Sequence, residues 1–515
     1  MRLRARPQGE VESRLRSITG NTPSTTCDSS LLRIQTGQHR LTPVLFDSRL
    51  PMSDAVFQRC VFPHCRATAA LEDISFQCPK CGGLLDVAYD WDRLQTPKSL
   101  RDIEAKWVRR TDPLCFSGVW RFRDLLPFAP AESILTIGEG QTILQQADAV
   151  AAYAGLDAGR LYLQYEGMNP SGSFKDNGMT AAFTHARMVG ARRAACASTG
   201  NTSASLAVYC SATSLMRAII FIGSGKISYG KLAQALDHGA LTIQITGDFD
   251  DAMARVREVA GRLGIYLVNS INPFRLEGQK TIMFRVIEAM KWETPEWIVV
   301  PGGNLGNVSS FGKALIELRD LGLIKRVPRL AVINAAGANT FCSLYQRFGV
   351  RWNGGQMDKV KIDGYYRSLE MENIHAATLA SAIEINRPVN LPKALRAMEQ
   401  CGGVVSEVTD QEILDAKAKV GIGGLGCEPA SAATVAGLRK LRQDGTIQKD
   451  ERVVCILTGH QLKDPTATVA YHSTDPKVFD DVLGRRGVRR ANFANRAVLV
   501  PNEVEEIIKA IELFA

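Results

Sequence analysis

No uninterrupted apolar run in the 515-residue chain approaches the roughly 18 residues that a membrane-spanning helix needs, so no membrane partner is expected. The N-terminal stretch has no apolar core of about 7–15 residues, so a secretory signal is not expected. Residues 1–51 hold no lysine, but eight arginines against four acids give them +4 of the chain's net +9. The remainder is only mildly basic and carries no basic stripe interleaved with aromatics, so nucleic acid is not an expected partner. Cysteine is sparse: twelve in the whole chain cannot make a disulfide scaffold. Cys196, Cys210, Cys342 and Cys455 lie in apolar or helical contexts and read as buried thiols. A reducing, cytoplasmic setting is the expectation.

The 45% hydrophobic and 22% charged residues are ordinary for a soluble globular protein, and the length allows two or three domains. Three readings compete for residues 1–51: a disordered extension, an Arg-rich organellar transit peptide, or a non-native extension ahead of a start at Met52. Between residues 160 and 335, strand-like and helix-like segments alternate. Candidate strands are Arg160–Tyr165, Arg193–Ala197, Ala218–Ile222, Leu241–Thr246, Trp297–Val300 and Leu330–Ile333, with a late buried strand at Arg452–Leu457. This pattern predicts α/β architecture, with open layers, helices on both faces and ligands at the carboxyl ends of the strands. The segment Trp91 to Pro130 is expected to pack across the outside of this body. Helices are expected to dominate from Ala382 to Lys440, and a basic tail, 471–515, ends in an amphipathic segment from Glu503 to Leu513.

The chain is organised around Tyr165 to Gly178, which contains one lysine, Lys175. Asn169-Pro170 and Ser171-Gly172 are turn signals, and a helical pattern runs from about Phe174 to Val189. Lys175 therefore falls in the first turn of a helix entered through a Gly/Ser loop. An ammonium held there can have its pKa lowered and can form a Schiff base with an aldehyde cofactor. A loop lysine before a surface helix would read the same in isolation.

Two further loops have the chemistry of anion sites. Pro301-Gly-Gly-Asn-Leu-Gly-Asn307 follows an apolar strand and opens a helix, so its glycines let backbone N–H groups approach a phosphate. Ser198-Thr-Gly-Asn-Thr202 follows the strand Arg193–Ala197 in the same way, and its hydroxyls and free N–H groups suit an anion without its own counter-charge; a cap serving only the helix is the alternative. Arg275 is a planar, permanently charged donor suited to phosphate. By contrast, Gly421-Ile-Gly-Gly-Leu-Gly426 satisfies a dinucleotide pattern but follows a helix instead of a strand. Gly223-Ser-Gly-Lys226 looks like part of a nucleotide loop, yet Ile227 stands where a magnesium-binding hydroxyl is required.

Asn169-Pro-Ser-Gly-Ser-Phe-Lys-Asp176 resembles the lysine motif of the threonine synthases, pyridoxal-phosphate enzymes of the tryptophan-synthase-β fold. The likeness continues, in the family's order, through Gly138 to Thr142, Ala197 to Ser203, Asn269 to Thr281, Pro301 to Asn307, Cys427 to Ala432 and Leu462 to Pro465. It implies a fold-type-II enzyme with two open α/β layers and the cofactor between them, in a catalytic body spanning 91–470. It implies that Lys175 binds pyridoxal 5'-phosphate covalently. Gly303, Asn304, Leu305, Gly306 and Asn307 would hold the cofactor phosphate, Asn201 the ring hydroxyl and Thr458 the ring nitrogen. Ser198, Thr199 and Thr202 would take the substrate carboxylate, with Asn269 and Arg275 on the phosphate of O-phosphohomoserine. A homodimer acting on a small phosphorylated amino acid is the implied assembly.

Cys60-Val-Phe-Pro-His-Cys65 and, after twelve intervening residues, Cys78-Pro-Lys-Cys-Gly-Gly83 resemble a zinc ribbon over 52–90. Four thiolates would close a tetrahedral, structural zinc site at Cys60, Cys65, Cys78 and Cys81. The first knuckle is wider than usual, and free thiols or a vestigial ribbon are the alternatives. The sequence departs from the family at Asn177, at Glu384-Ile-Asn386 and at His460-Gln461. Rival readings are a cysteate-synthase-like β-replacement enzyme, a threonine or serine ammonia-lyase, and a non-catalytic sensor of the cofactor or a phosphometabolite. The ammonia-lyases generally have His where Thr202 stands.

Overall fold

A computed structural model describes residues 54–223, 229–246 and 249–513. Residues 1–51 and most of the Gly223–Lys226 motif lie outside the described residues. The chain from Ser53 onward forms one compact unit.

Its largest sheet is built from β4 (Ile143–Gln146), β5 (Leu161–Tyr165), β10 (Trp297–Pro301), β11 (Arg329–Ala335), β12 (Gly403–Val408) and β13 (Val453–Leu457), in the order β12-β11-β10-β13-β5-β4. All pairs are parallel except the edge strand β4, which runs antiparallel to β5. Trp-Ile-Val-Val-Pro in β10 and Val-Val-Cys-Ile-Leu in β13 are buried throughout, as unbroken apolar runs in a two-sided parallel sheet must be. The register sets Leu161 beside Val453 and Leu457 beside Tyr165, and Trp297 beside Val453. The loops after β5, β10 and β13 therefore leave the sheet at one level.

A second, all-parallel sheet contains β6 (Arg193–Ala197), β7 (Arg217–Gly223), β8 (Leu241–Ile245) and β9 (Tyr266–Leu267), in the order β8-β7-β6-β9. A small antiparallel sheet, β1 (Val56–Cys60), β2 (Thr68–Ala69) and β3 (Leu85–Tyr89), carries the cysteine cluster. It docks through charge: Asp86 pairs with Lys393 at 2.9 Å and Arg396 at 2.6 Å, and the Tyr89 hydroxyl donates to Glu277 at 2.6 Å.

The expected strands agree with β5, β6, β7, β8, β10, β11 and β13 to within a few residues. Three things differ. Helices dominate from 382 to 440 as expected, but a strand not named in advance, β12, lies among them; it pairs with β11, a partner over sixty residues away that local periodicity cannot reveal. The segment after Trp91 does not simply cross the outside: Trp120, Phe122 and Phe128 are buried. The Trp120 indole donates to Thr180 at 2.9 Å, and the Phe128 ring lies 5.3 Å from that of Phe274. After residue 470 the chain adds Tyr471, Leu483 and Val488 to an apolar cluster with Leu414 and Ala418. The amphipathic segment forms the helix Val504–Glu512, with Ile507, Ile508 and Ile511 exposed.

Candidate active site

Lys175 is the first residue of the helix Lys175–Met188 and is half-buried, its Nζ 4.4 Å from the centroid of the Phe174 ring. The turn before it is fastened by Asp176, whose carboxylate accepts from the Ser171 N–H at 2.6 Å, the Ser171 hydroxyl at 2.7 Å and the Ser205 hydroxyl. Burial pushes the Asp176 carboxyl up to about 6 against the pull of those donors. The same turn is laced to the loop after β13. The Phe174 N–H donates to the Thr458 carbonyl, and the His460 N–H to the Gly172 carbonyl, each at 2.9 Å. Gly172 has φ +80°, which a side chain would strain. These bonds bring Lys175 and Thr458 into one site.

Asn201 opens the helix Asn201–Thr213, at the end of β6 in the other sheet. It meets Thr458 at a residue to which the sequence had assigned no role, Glu428. The Asn201 amide nitrogen donates to both Glu428 oxygens, at 2.9 and 3.0 Å, and the Thr458 hydroxyl donates to Oε1 at 3.1 Å. Glu428 is 1% exposed and is the residue before the helix Pro429–Gln443. A buried acid directly ahead of a helix-opening proline, inside a matched motif, was the available signal.

The loop from Gly303 to Asn307 makes a cradle at the N-terminus of the helix Gly306–Asp320. Leu305 is held at φ +61°, and no backbone N–H from Gly303 to Asn307 donates to a described residue. A Cβ on Gly303 would lie 3.0 Å from the Ile383 Cα, and one on Gly306 would lie 3.3 Å from Gln279 Oε1. The Asn304 side chain accepts from the Val389 N–H, while Asn307 Oδ1 is buried without a partner among the described residues. Free N–H groups, positive helix potential and small residues fit the phosphate of pyridoxal phosphate. Asn201 Oδ1, likewise buried and without a partner among the described residues, fits the polar edge of its ring. Bound there, the cofactor would have Lys175 as its covalent partner and Thr458 at its ring.

Ser198, Thr199 and Thr202 lie on the turn and first helical residues after β6; the Gly200 N–H donates to the Ser198 hydroxyl at 3.1 Å. Asn269 holds this loop: its amide oxygen accepts from the Ala197 N–H at 3.1 Å and its nitrogen donates to the Ala197 carbonyl at 3.0 Å. Arg275, on the helix Pro273–Ala289, is 1% exposed. It donates from Nη1 to the Val268 carbonyl at 2.6 Å, while Nε and Nη2 have no partner among the described residues. Burial pulls its pKa down to about 10. A buried guanidinium with two unused donors fits an anion.

The departures from the family have visible contacts. Asn177 donates to the buried Glu166 at 2.7 Å, and Arg285 pairs with the same carboxylate at 2.7 Å. Asn386 donates to the Ile374 carbonyl, and the His460 ring accepts from the Leu462 N–H, both at 3.1 Å. Gly426 packs directly against Gln461, and the helix Asp410–Ile422 precedes it, so the dinucleotide-like pattern has neither a strand nor an open turn.

Away from this site, the sulfurs of Cys60, Cys65, Cys78 and Cys81 all lie within 4.8 Å of one another. Burial would raise the Cys78 thiol, but the N–H groups of Cys81 and Lys80 outweigh it and bring it to about 7. The arrangement can hold one tetrahedral metal ion.

Residues 135–459 match the family described as pyridoxal-phosphate dependent enzymes. The threonine synthase of Methanocaldococcus jannaschii is 40% identical over 415 residues, covering 80% of this chain and 94% of that protein. That of Methanosarcina acetivorans is 41% identical over 423 residues, covering 82% and 95%. The structure of threonine synthase from Escherichia coli superposes with a TM-score of 0.55 over 89% of this chain and all of the other, at 18% identity, a likeness of fold. The chain belongs to the pyridoxal-phosphate dependent enzymes and, among them, to the threonine synthases.

Proposed function

We propose that the enzyme converts O-phospho-L-homoserine and water to L-threonine and phosphate. The observation that carries this reading is Arg275: a buried guanidinium with two unpartnered nitrogens, on the helix packed against the one that begins with Lys175. A substrate bearing a phosphate on its γ-carbon would use that charge; serine or threonine would leave it unpaired.

Bound pyridoxal phosphate supplies an electron sink that makes hydrogens near the substrate amine removable. Lys175 would hold the cofactor through its Nζ, and its free amine would be the base that takes protons from the substrate's Cα and Cβ. The Ser198–Thr202 loop orients the carboxylate. Arg275 holds the phosphate as it departs, and Asn269 keeps the neighbouring loop in place with one amide hydrogen left for it. Thr458 would meet the ring nitrogen of the bound cofactor and Asn201 its ring hydroxyl. Residues 91–470 form the catalytic body, the 52–90 segment is a structural ribbon, and the working form is a cytoplasmic homodimer.

Phosphate release from O-phosphohomoserine, compared with O-phosphoserine and with threonine deamination, tests the reading. Threonine and phosphate should appear in equal amounts with the first substrate alone. A Lys175→Ala protein that still makes threonine at the wild-type rate would refute the role of Lys175.

A further inference from the structure

The tail is fastened to the body and then leaves it. Gln411 accepts from the Arg489 N–H at 2.9 Å, Asn492 donates to Asp415 at 2.7 Å, and the Asn495 N–H donates to the His472 ring at 2.8 Å. Among the described residues this is the last hydrogen bond from the tail to the body. Residues 496–502 then run to Glu503, the N-cap of the helix Val504–Glu512. At 3.6 residues per turn, Val504, Ile507, Ile508 and Ile511 form one apolar stripe, and all four are exposed, Ile511 at 63%. Glu505 and Glu512 edge the stripe, and Lys509 is the one base against four acids from Glu503 to Glu512. A nine-residue helix is marginal in water on its backbone bonds alone, so burial of the stripe has to supply the rest. A membrane surface is a poor cover, because interfacial helices carry Lys and Arg beside the apolar face and this one carries acids. The stretch ahead of the helix has the opposite charge: residues 484–502 hold five arginines and no lysine or acid. Arg485 pairs with Asp481 and Arg486 with Glu384, whereas Arg489, Arg490 and Arg496 are exposed without an ion-pair partner among the described residues.

We propose that the helix Val504–Glu512 is the contact between two copies of this chain. The apolar stripes of the two helices pack together about a two-fold axis, and Glu505 and Glu512 of each copy meet Arg489 and Arg490 of the other. An apolar stripe, acids and unpaired arginines within one segment are self-complementary, as a contact between identical surfaces requires. Fully extended, residues 496–502 reach roughly 24 Å, enough to carry the helix from one body to the next. Two short helices alone make a small contact. The arginine rim and the exposed Val498 and Leu499 of both linkers extend it toward the roughly 1,200 Å² of a stable interface. The proposal rests on the homodimer reading and deepens it by naming where the copies meet; no catalytic assignment enters it.

The test is the mass in solution of the full-length protein, by sedimentation at low micromolar concentration, for the wild type and two charge-reversed variants. One variant is Arg489→Glu with Arg490→Glu, the other Glu505→Lys with Glu512→Lys; all four side chains are exposed, so the fold tolerates the changes. The wild type should have the mass of two chains. Each variant alone should dissociate, its dimer constant weakened about tenfold or more by attraction turned to repulsion at both symmetric sites. An equimolar mixture of the two should recover the dimer, because one site then pairs the original charges and the other pairs the reversed ones. A wild type with the mass of one chain overturns the proposal and the homodimer reading together. A wild-type dimer that neither variant weakens overturns the proposal alone; the copies then meet elsewhere, and another occupant, such as residues 1–51 of the same chain, covers the helix. Variants that dissociate but do not recover on mixing overturn the pairing between copies. Wild-type protein that sediments with phosphatidylserine vesicles through this helix, lost in Ile508→Glu, makes it a membrane contact and overturns the proposal as well.

Discussion

Gly178 and Gly278 lie at the crossing of two helices whose backbones touch. A Cβ on Gly178 would come within 2.7 Å of the Arg275 carbonyl oxygen, and one on Gly278 would run into the carbonyl of Asn177. Each glycine sits three residues after a functional side chain, Lys175 on one helix and Arg275 on the other. The contact therefore sets the spacing between the proposed covalent anchor and the proposed phosphate ligand.

Gly278→Ala should accordingly lose about 2 kcal/mol of unfolding free energy, the scale of overpacking a tight core. Gly364 lies on the helix Lys359–Met371 with open space around it. Alanine there should be neutral or add a few tenths of a kcal/mol, through its better helix propensity. Denaturant titration of the two variants checks the contrast; equal effects would contradict the packing argument.

Arg275→Met should separate stability from activity. A buried cation with two unused donors is costly to keep, so a side chain of similar volume without the charge should raise the melting temperature. Loss of the phosphate contact should lower kcat/KM for O-phosphohomoserine by roughly a hundredfold or more, the worth of about 3 kcal/mol in charge-assisted bonds. The visible absorbance of the bound cofactor should be unchanged. A variant as active as the wild type would remove Arg275 from the substrate site.

Lys175, Thr458, Asn201 and the Gly303–Asn307 loop were legible because each stands at the carboxyl end of a strand with a strong apolar pattern, next to glycine or a hydroxyl residue. Such signals are local. Glu428 was visible as part of a motif but not as a hub, because its partners come from residues 201 and 458. Docking of the small antiparallel sheet through Asp86 and Lys393 spans about three hundred residues and leaves no pattern in either segment. Strand β12 was missed for the same reason. Asn269 shows a subtler limit: its loop was identified, but not that both amide atoms are engaged by Ala197.

Acid should weaken the fold through His185. Its ring lies between the Leu71 carbonyl, at 2.7 Å from Nε2, and the Tyr266 hydroxyl, at 2.8 Å from Nδ1, and it stacks 3.5 Å from the Phe274 ring. Burial lowers its pKa from 6.5 to about 4. The unfolded chain thus binds a proton more readily, and stability falls as pH drops from about 6.5 toward 4. The loss is on the order of 3 kcal/mol from this residue. His185→Gln should start less stable at pH 7.5 but show a shallower decline over that window, read by thermal melts at several pH values. Parallel slopes would exclude His185 as a source of the acid sensitivity.

Zinc binding is the outcome expected from the geometry of the thiols. Zn–S bonds of about 2.3 Å in a tetrahedron place sulfurs roughly 3.8 Å apart. Here Cys60 and Cys81 are 3.5 Å apart, Cys65 and Cys78 are 3.6 Å apart, and all four sulfurs lie within 4.8 Å of one another. The purified protein should carry one zinc per chain by elemental analysis, and a Cys78→Ser, Cys81→Ser double variant should carry none. Strand β3 begins four residues after Cys81 and supplies Asp86 and Tyr89 to the body, so losing the ion should loosen that docking first. Hydrogen exchange should then rise in residues 56–89 before it rises around Lys175. Stoichiometric absence of metal from protein expressed and purified with zinc present would reduce the cluster to four close thiols.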